Sequence, residues 1–190
     1  MTKPPAAKEA VRLAKIEDMP AWGQIQAQAM RADLQSHLGQ VGPQTLALID
    51  AQQITQAWQQ ALLSPPSPKH HLLSAINEGQ VVGMAALAPA PKMLVQPKRS
   101  PLAEKSADAE IVALEVADWE KHLADASRLV NAVGDMLRSS RAGRVQIWLA
   151  AGAKEKIRFF NECGFAPAGL RQGLKVGHES MVQHLWFTDL

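Results

Sequence analysis

Apolar and basic residues alternate over residues 11–16 (VRLAKI), which predicts a first β-strand after a Pro- and Lys-bearing floppy tail at 1–10. Asp18 then stands where a helix N-cap belongs, and Trp22, Ile25, Ala29 and Met30 recur behind it at helical spacing. A second helical pattern runs over 50–63 and stops at Pro65-Pro66. Residues 71–77 and 80–89 flank Glu78-Gly79, the pattern of a β-hairpin.

Residues 90–108 are rich in Pro, Lys and Ser and predict a long mobile loop within one domain of residues 11–190. A buried-type strand at 110–116 follows. Behind it comes a long helix carrying Ala126, Leu129, Val130, Val133, Met136 and Leu137 on one stripe. Residues 144–150 (RVQIWLA) read as a strand, 154–162 as a short helix, and 165–174 and 180–187 as two final strands. The strand–helix–strand unit in the middle demands two parallel neighbours, whereas the hairpin is antiparallel. The fold class is therefore α/β (α+β). The expected sheet is mixed and mainly antiparallel, with six or seven strands, a central parallel pair and helices on both faces.

Composition narrows the function. A net charge of +2 without a Lys/Arg stripe argues against a nucleic-acid partner. No apolar run suits a signal peptide or a membrane span, and a single cysteine, Cys163, cannot form an internal disulfide. A cytoplasmic protein with no membrane partner is the expectation, and a homodimer is left open. The chain has five tryptophans and no tyrosine.

Three stretches resemble the GNAT superfamily of acyl-coenzyme A N-acyltransferases. Ala109 to Val116 (AEIVALEV) is similar to the family's fourth strand. Lys121-His122-Leu123-Ala124-Asp125-Ala126 stands in the register of its Arg/Gln-x-x-Gly-x-Gly/Ala loop. Phe159-Phe160-Asn161-Glu162-Cys163-Gly164-Phe165 resembles its Phe-Tyr-x-x-x-Gly-Phe. The resemblance implies an N-acetyltransferase that moves an acetyl group from acetyl-coenzyme A to a primary amine by direct attack, with no metal.

The resemblance also implies a site. The cofactor-binding positions are Val116, Lys121, His122, Leu123, Ala124, Asp125, Ala126, Ser127, Ala153 and Phe160. A helix N-terminus offers free N–H groups and partial positive charge to a pyrophosphate. Alanine at 124 gives up glycine's freedom, at about 1–2 kcal/mol if φ is positive there. Asp125 would set an anion beside the phosphates. Glu110, six residues before Val116, is the candidate general base, its pKa raised by burial. Glu115 is five residues further on, so regular alternation puts it on the opposite face.

Where many members have a tyrosine to reprotonate the departing thiolate, this chain has Phe160; where many have an asparagine, it has Ala153. Water suits the task for a thiol with a pKa of ~8.5, and Cys163 and His122 are the candidate side-chain substitutes, with Cys163 read first as a small buried hydrophobe. His70 and His71 face opposite ways on a strand and lack a third ligand, so no metal site is expected. His178 and His184 fall on the last hairpin, and Trp58, Trp119, Trp148 and Trp186 read as core or cleft walls. The missing tyrosine, glycine and asparagine keep open a non-catalytic coenzyme A-binding, sensory or interaction domain on the same fold.

Overall fold

The computed structural model describes residues 9–92 and 100–190. A seven-stranded sheet in the order β1-β2-β3-β4-β5-β7-β6 forms its centre. Its strands are β1 (Glu9–Leu13), β2 (His71–Asn77), β3 (Gln80–Pro89), β4 (Ala109–Val116), β5 (Arg144–Ala150), β6 (Ala166–Val176) and β7 (Glu179–Asp189). The pair β4–β5 is parallel and every other neighbour is antiparallel, as the sequence predicts. The β2–β3 turn is made by Glu78 (φ 47°) and Gly79 (φ 79°), two left-handed residues in a row.

Helices cover both faces. On one, α1 (Met19–Leu38) lays Trp22 and Ile25 on Met84 and Ala86 of β3, with α3 (Ala51–Leu63) packed behind. A Cβ at Gly23 would lie 2.0 Å from Thr55 Oγ1, so only glycine lets α1 and α3 approach this closely. Asp50 caps α3 by accepting the Gln52 N–H at 2.7 Å. On the other face, α5 (Leu123–Ser139) buries Leu129 and Val133 against Ala85, Leu87 and Ile111. The short α6 (Lys154–Glu162) adds Phe159 and Phe160 to the same core.

The structure departs from the sequence reading in four places. The first strand covers Glu9–Leu13 rather than 11–16, because the chain turns into a 3-10 turn at Ile16–Asp18. Asp18 does not cap α1 with its side chain. Its carboxylate instead accepts two bonds from Arg12 (2.6 and 2.8 Å), one from the Lys15 N–H (2.9 Å) and one from Ser74 (2.8 Å). A short α2 (Pro43–Ala47) had no apolar period to betray it. The predicted loop 90–108 contains α4 (Pro101–Glu104), capped by Ser100 and anchored by Leu102, which is 1% exposed against Ala168 and Leu185. Residues 93–99 of that loop lie outside the described residues. Among the described residues no helix is long and apolar enough to cross a membrane.

Candidate active site

The site begins where the central sheet opens. Strands β4 and β5 pair over three rungs only: Ala109 with Val145, Glu110 with Gln146, Ile111 with Ile147. Beyond them β4 continues to Val116 and β5 to Ala150 with no ladder between the two. A β-bulge coincides with the parting. On the β3 side Leu87 faces Ile111 and Ala86 faces Ala113, leaving Val112 without a partner. An unpaired extra residue bends and twists its strand.

The bulge also resets the alternation of side chains. Residues opposite one another in an antiparallel ladder share a face. Ala88 opposes Glu110 and Met84 opposes Glu115, and Ala88 and Met84 lie on one side of β3. Glu110 and Glu115 therefore share a face, contrary to the alternation expected from the sequence. Glu110 accepts a 2.6 Å bond from Gln146 Nε2. Burial raises the Glu110 pKa above the ordinary value, and the Gln146 bond opposes the rise only in part.

Past the bulge the parted strands, α1 and the β6–β7 hairpin enclose a cavity of about 220 Å³. Lys156 of α6 reaches into it and bonds Glu115 Oε1 at 2.7 Å and Asp33 Oδ2 of α1 at 2.8 Å. Burial opposes the charge on Lys156, but the two carboxylates outweigh it and hold the ammonium protonated. Burial pushes the Glu115 pKa up; Lys156 and the Trp119 N–H pull it down, and the charge of Asp33 adds to the rise. Asp33 and Lys156 also line a groove of about 360 Å³ with Trp119 and Ala153. Trp119 and Glu155 carry that groove on toward Leu123, into a space of about 500 Å³.

That groove leads to the start of α5. The Ala126 N–H is already bonded to His122 O (2.9 Å), so the N–H groups of Leu123, Ala124 and Asp125 have no partner inside the helix. Asp118 ties down the approach by accepting the N–H groups of Glu120 (3.0 Å) and Lys121 (3.2 Å). Lys121 extends into solvent, its Nζ 3.1 Å from Asp118. Ala124 is helical; among the described residues only Glu78 and Arg141 are non-glycines with positive φ, so the anticipated strain does not arise. Asp125 does not confront the groove as a bare anion. It is 2% exposed, and His122 (2.9 Å), Arg128 (2.6 Å) and Asn77 (3.2 Å) hold its carboxylate. Burial opposes its ionisation, but those bonds outweigh the burial and its pKa falls below the usual range.

The sequence matches the profile of the acetyltransferase (GNAT) family over residues 34–165, which takes in the parted strands and both helix starts. The chain belongs to the GNAT acetyltransferase family. It is therefore an acyltransferase. Its fold resembles a ribosomal-protein-alanine N-acetyltransferase from Brucella melitensis, at 20% identity and TM-score 0.65, over 95% of this chain and 99% of that one. It also resembles an N-acetyltransferase from Staphylococcus aureus Mu50, at 16% identity and TM-score 0.65, over 96% and 99%. A third similar structure is yncA from Salmonella typhimurium with its cofactor acetyl-CoA, at 15% identity and TM-score 0.63, over 97% and 95%. No curated protein sequence matches the chain.

Against the GNAT pattern, α6 holds the departures. Ala153 sits at its N-cap and contributes no side-chain bond. Phe160 is completely buried, edge-on to Phe159 (5.3 Å) and Phe165 (5.1 Å). Burial and the charge of Glu162 raise the Cys163 thiol pKa, which disfavours it as a thiolate. His70 bonds Ser67, and no metal-holding group of side chains occurs among the described residues. Trp148 lines the cavity, while Trp58 packs edge-on to Trp22.

Three residues of this GNAT site escaped the sequence reading: Asp33, Gln146 and Lys156. Lys156 alone left a trace, since it falls on the stripe of Phe159 and Phe160 at helical spacing.

Proposed function

We propose that the protein transfers an acetyl group from acetyl-coenzyme A to a primary amine of a small molecule or peptide by direct attack. The observation that carries this reading is the parting of β4 and β5 after the Ile111–Ile147 rung, one residue past Glu110–Gln146, with a cavity beyond it.

The residues present suit the acyl donor. The β5-facing side of β4 at 112–116, which has no ladder there, offers backbone bonds to an extended pantetheine arm, as an added strand would. The free N–H groups of Leu123, Ala124 and Asp125 suit the pyrophosphate, at the positive end of α5. Lys121 assists at the rim, and His122 fixes the loop through Asp125. Ala126 is buried with its N–H bonded to His122 O, Ser127 Oγ donates to Leu123 O (3.0 Å), Val116 ends β4, and Ala153 lines the groove with a side chain small enough to leave it open. Phe160 contributes shape from within the core rather than a contact.

When bound, acetyl-coenzyme A supplies the thioester carbonyl that the amine attacks. An ammonium with a pKa of ~10.4 must lose a proton before it can attack. Glu110 takes that proton, and its burial brings its basicity nearer to neutral pH, where a base works best. Gln146 holds the Glu110 carboxyl in place through Oε2. With Phe160 lacking a hydroxyl, the departing thiolate takes its proton from water, which suits a thiol pKa of ~8.5.

Purified protein should bind acetyl-coenzyme A in a calorimetric titration and release thiol in the presence of a panel of primary amines. A mass increase on the amine identifies the product. Binding without thiol release from any amine would reject catalysis, and no binding would reject the donor.

A further inference from the structure

The cavity beyond the bulge holds charges that the proton transfer at Glu110 does not use. Asp33 comes from α1, Glu115 from β4 and Lys156 from α6, and all three line it. Their side chains are 18%, 14% and 8% exposed. Apart from them and Gln26 and Gln183 the lining side chains are apolar, with Met30, Trp148 and Met181 among them. Among the described residues Lys156 is the only cation lining the cavity, and it is already bonded to both carboxylates.

Two carboxylates thus face one ammonium in a site largely shut off from water. An unbalanced charge there is strongly disfavoured. Burial, together with the neighbouring Asp33, accordingly raises the proton affinity of Glu115 against the pull of Lys156 and Trp119. Among the described residues the cavity is one cation short. Resting on the reading of the protein as an amine acetyltransferase, we propose that Asp33 and Glu115 recognise the acceptor. The cavity then selects a small primary ammonium with an apolar stem and no carboxylate of its own.

Such an ammonium completes a cluster of two anions and two cations on entry; Glu110 does not line the cavity, so the amine leaves the cluster for Glu110 before it attacks. Its three N–H donors can bond both carboxylates, and its stem lies against Met30, Trp148 and Met181. A volume of about 220 Å³ is below the ~300–1,000 Å³ usual for drug-sized ligands, which limits the stem to a few carbons or one ring. An amino acid would bring a third carboxylate with no free cation to receive it. Like charges set together in a buried site act against the wrong ligand.

The test is calorimetric titration of the full chain, without acyl donor, by phenethylamine, by phenylalanine and by lysine capped at both ends. Phenethylamine should bind at least about tenfold tighter than phenylalanine, a difference of about 1.4 kcal/mol. Asp33→Asn and Glu115→Gln each leave Lys156 one carboxylate, so the cavity stays balanced and the excess negative charge is gone. Both variants should lose about tenfold or more in phenethylamine affinity while keeping the parent's circular dichroism spectrum. Should one variant fail to fold, the other reads the same loss.

Capped lysine binding as well as phenethylamine assigns the ammonium to a lysine side chain; phenethylamine alone assigns it to a free amine. Equal binding of phenethylamine and phenylalanine, or unchanged affinity in both variants, would overturn the inference. Failure of the acetyltransferase reading is separate: thiol would stay unreleased with every amine, whereas this preference is measured with no donor present.

Discussion

Glu110 and Glu115 lie on the same face of β4, because the intervening Val112 has no partner on β3. One bulged residue thereby assigns the strand two separate tasks on one side of the sheet. Glu110, bonded to Gln146, stands one rung before Ile111–Ile147, where the strands part. Glu115 lies beyond it, bonded to Lys156. The carboxylates differ in their partners, and in the proposed mechanism that difference divides proton acceptance from charge balance.

In the proposed mechanism Gln146 sets the working range of Glu110. Burial raises the pKa of Glu110 and the Gln146 bond lowers it. Gln146→Met removes the donor, so the pKa should rise further and the acid limb of the kcat/KM profile should move to higher pH. The rate at neutral pH should fall several-fold, with recovery in alkaline buffer. An acid limb unmoved by the substitution would detach Gln146 from the base.

Leu102 reports on the segment that sequence composition disguises as a loop. It is 1% exposed beneath α4, and Arg144 bonds the carbonyls of Pro101 (3.0 Å) and Lys105 (2.6 Å) on either side. Leu102→Ala should cost about 2–5 kcal/mol in denaturant unfolding, the usual range for a buried leucine. A loss within ~0.5 kcal/mol, as for a surface site, would mean that α4 is not docked.

Asp18 supplies a pH-dependent tie between β1, β2 and α1. Burial works against its charge, but the bonds from Arg12, the Lys15 N–H and Ser74 prevail, and its pKa lies below the ordinary value. A depressed carboxylate stabilises the fold above its unfolded pKa of ~3.9 and loses that contribution as pH falls through the folded value. Asp18→Asn should therefore cost about 1.5–3 kcal/mol at neutral pH. The gap between parent and variant should close as acid is added below pH ~4. A gap that stayed constant across the acid range would show that Asp18 carries no ionised bond.

The sequence makes the fold largely legible and the cavity hardly at all. Glu78-Gly79 between two apolar runs can only be a tight turn, and the βαβ unit forces β4 and β5 to be parallel. The start of α5 is legible too, since the loop register of Lys121 to Ala126 coincides with the helix that begins at Leu123. Nothing in AEIVALEV distinguishes Val112 as the bulged residue, because a bulge depends on the register of β3 across from it. Asp33, Glu115 and Lys156 lie on three elements far apart in the chain, and only folding turns them into neighbours. The docked α4 was hidden by its Pro- and Lys-rich surroundings, since burial of Leu102 depends on Ala168 and Leu185.

Glu110→Gln tests the central claim most directly, through the pH–rate profile of acetyl transfer measured beside acetyl-coenzyme A affinity. The substitution keeps the shape of the side chain and removes its capacity to accept a proton. Affinity for acetyl-coenzyme A should be unchanged, while turnover at neutral pH falls about 10²–10⁴-fold, the usual contribution of a general base. That loss should shrink as pH rises toward the ~10.4 of a free amine, which then arrives already deprotonated. A variant with the parent's rate and pH profile would contradict the account, because the proton would then leave the amine without Glu110.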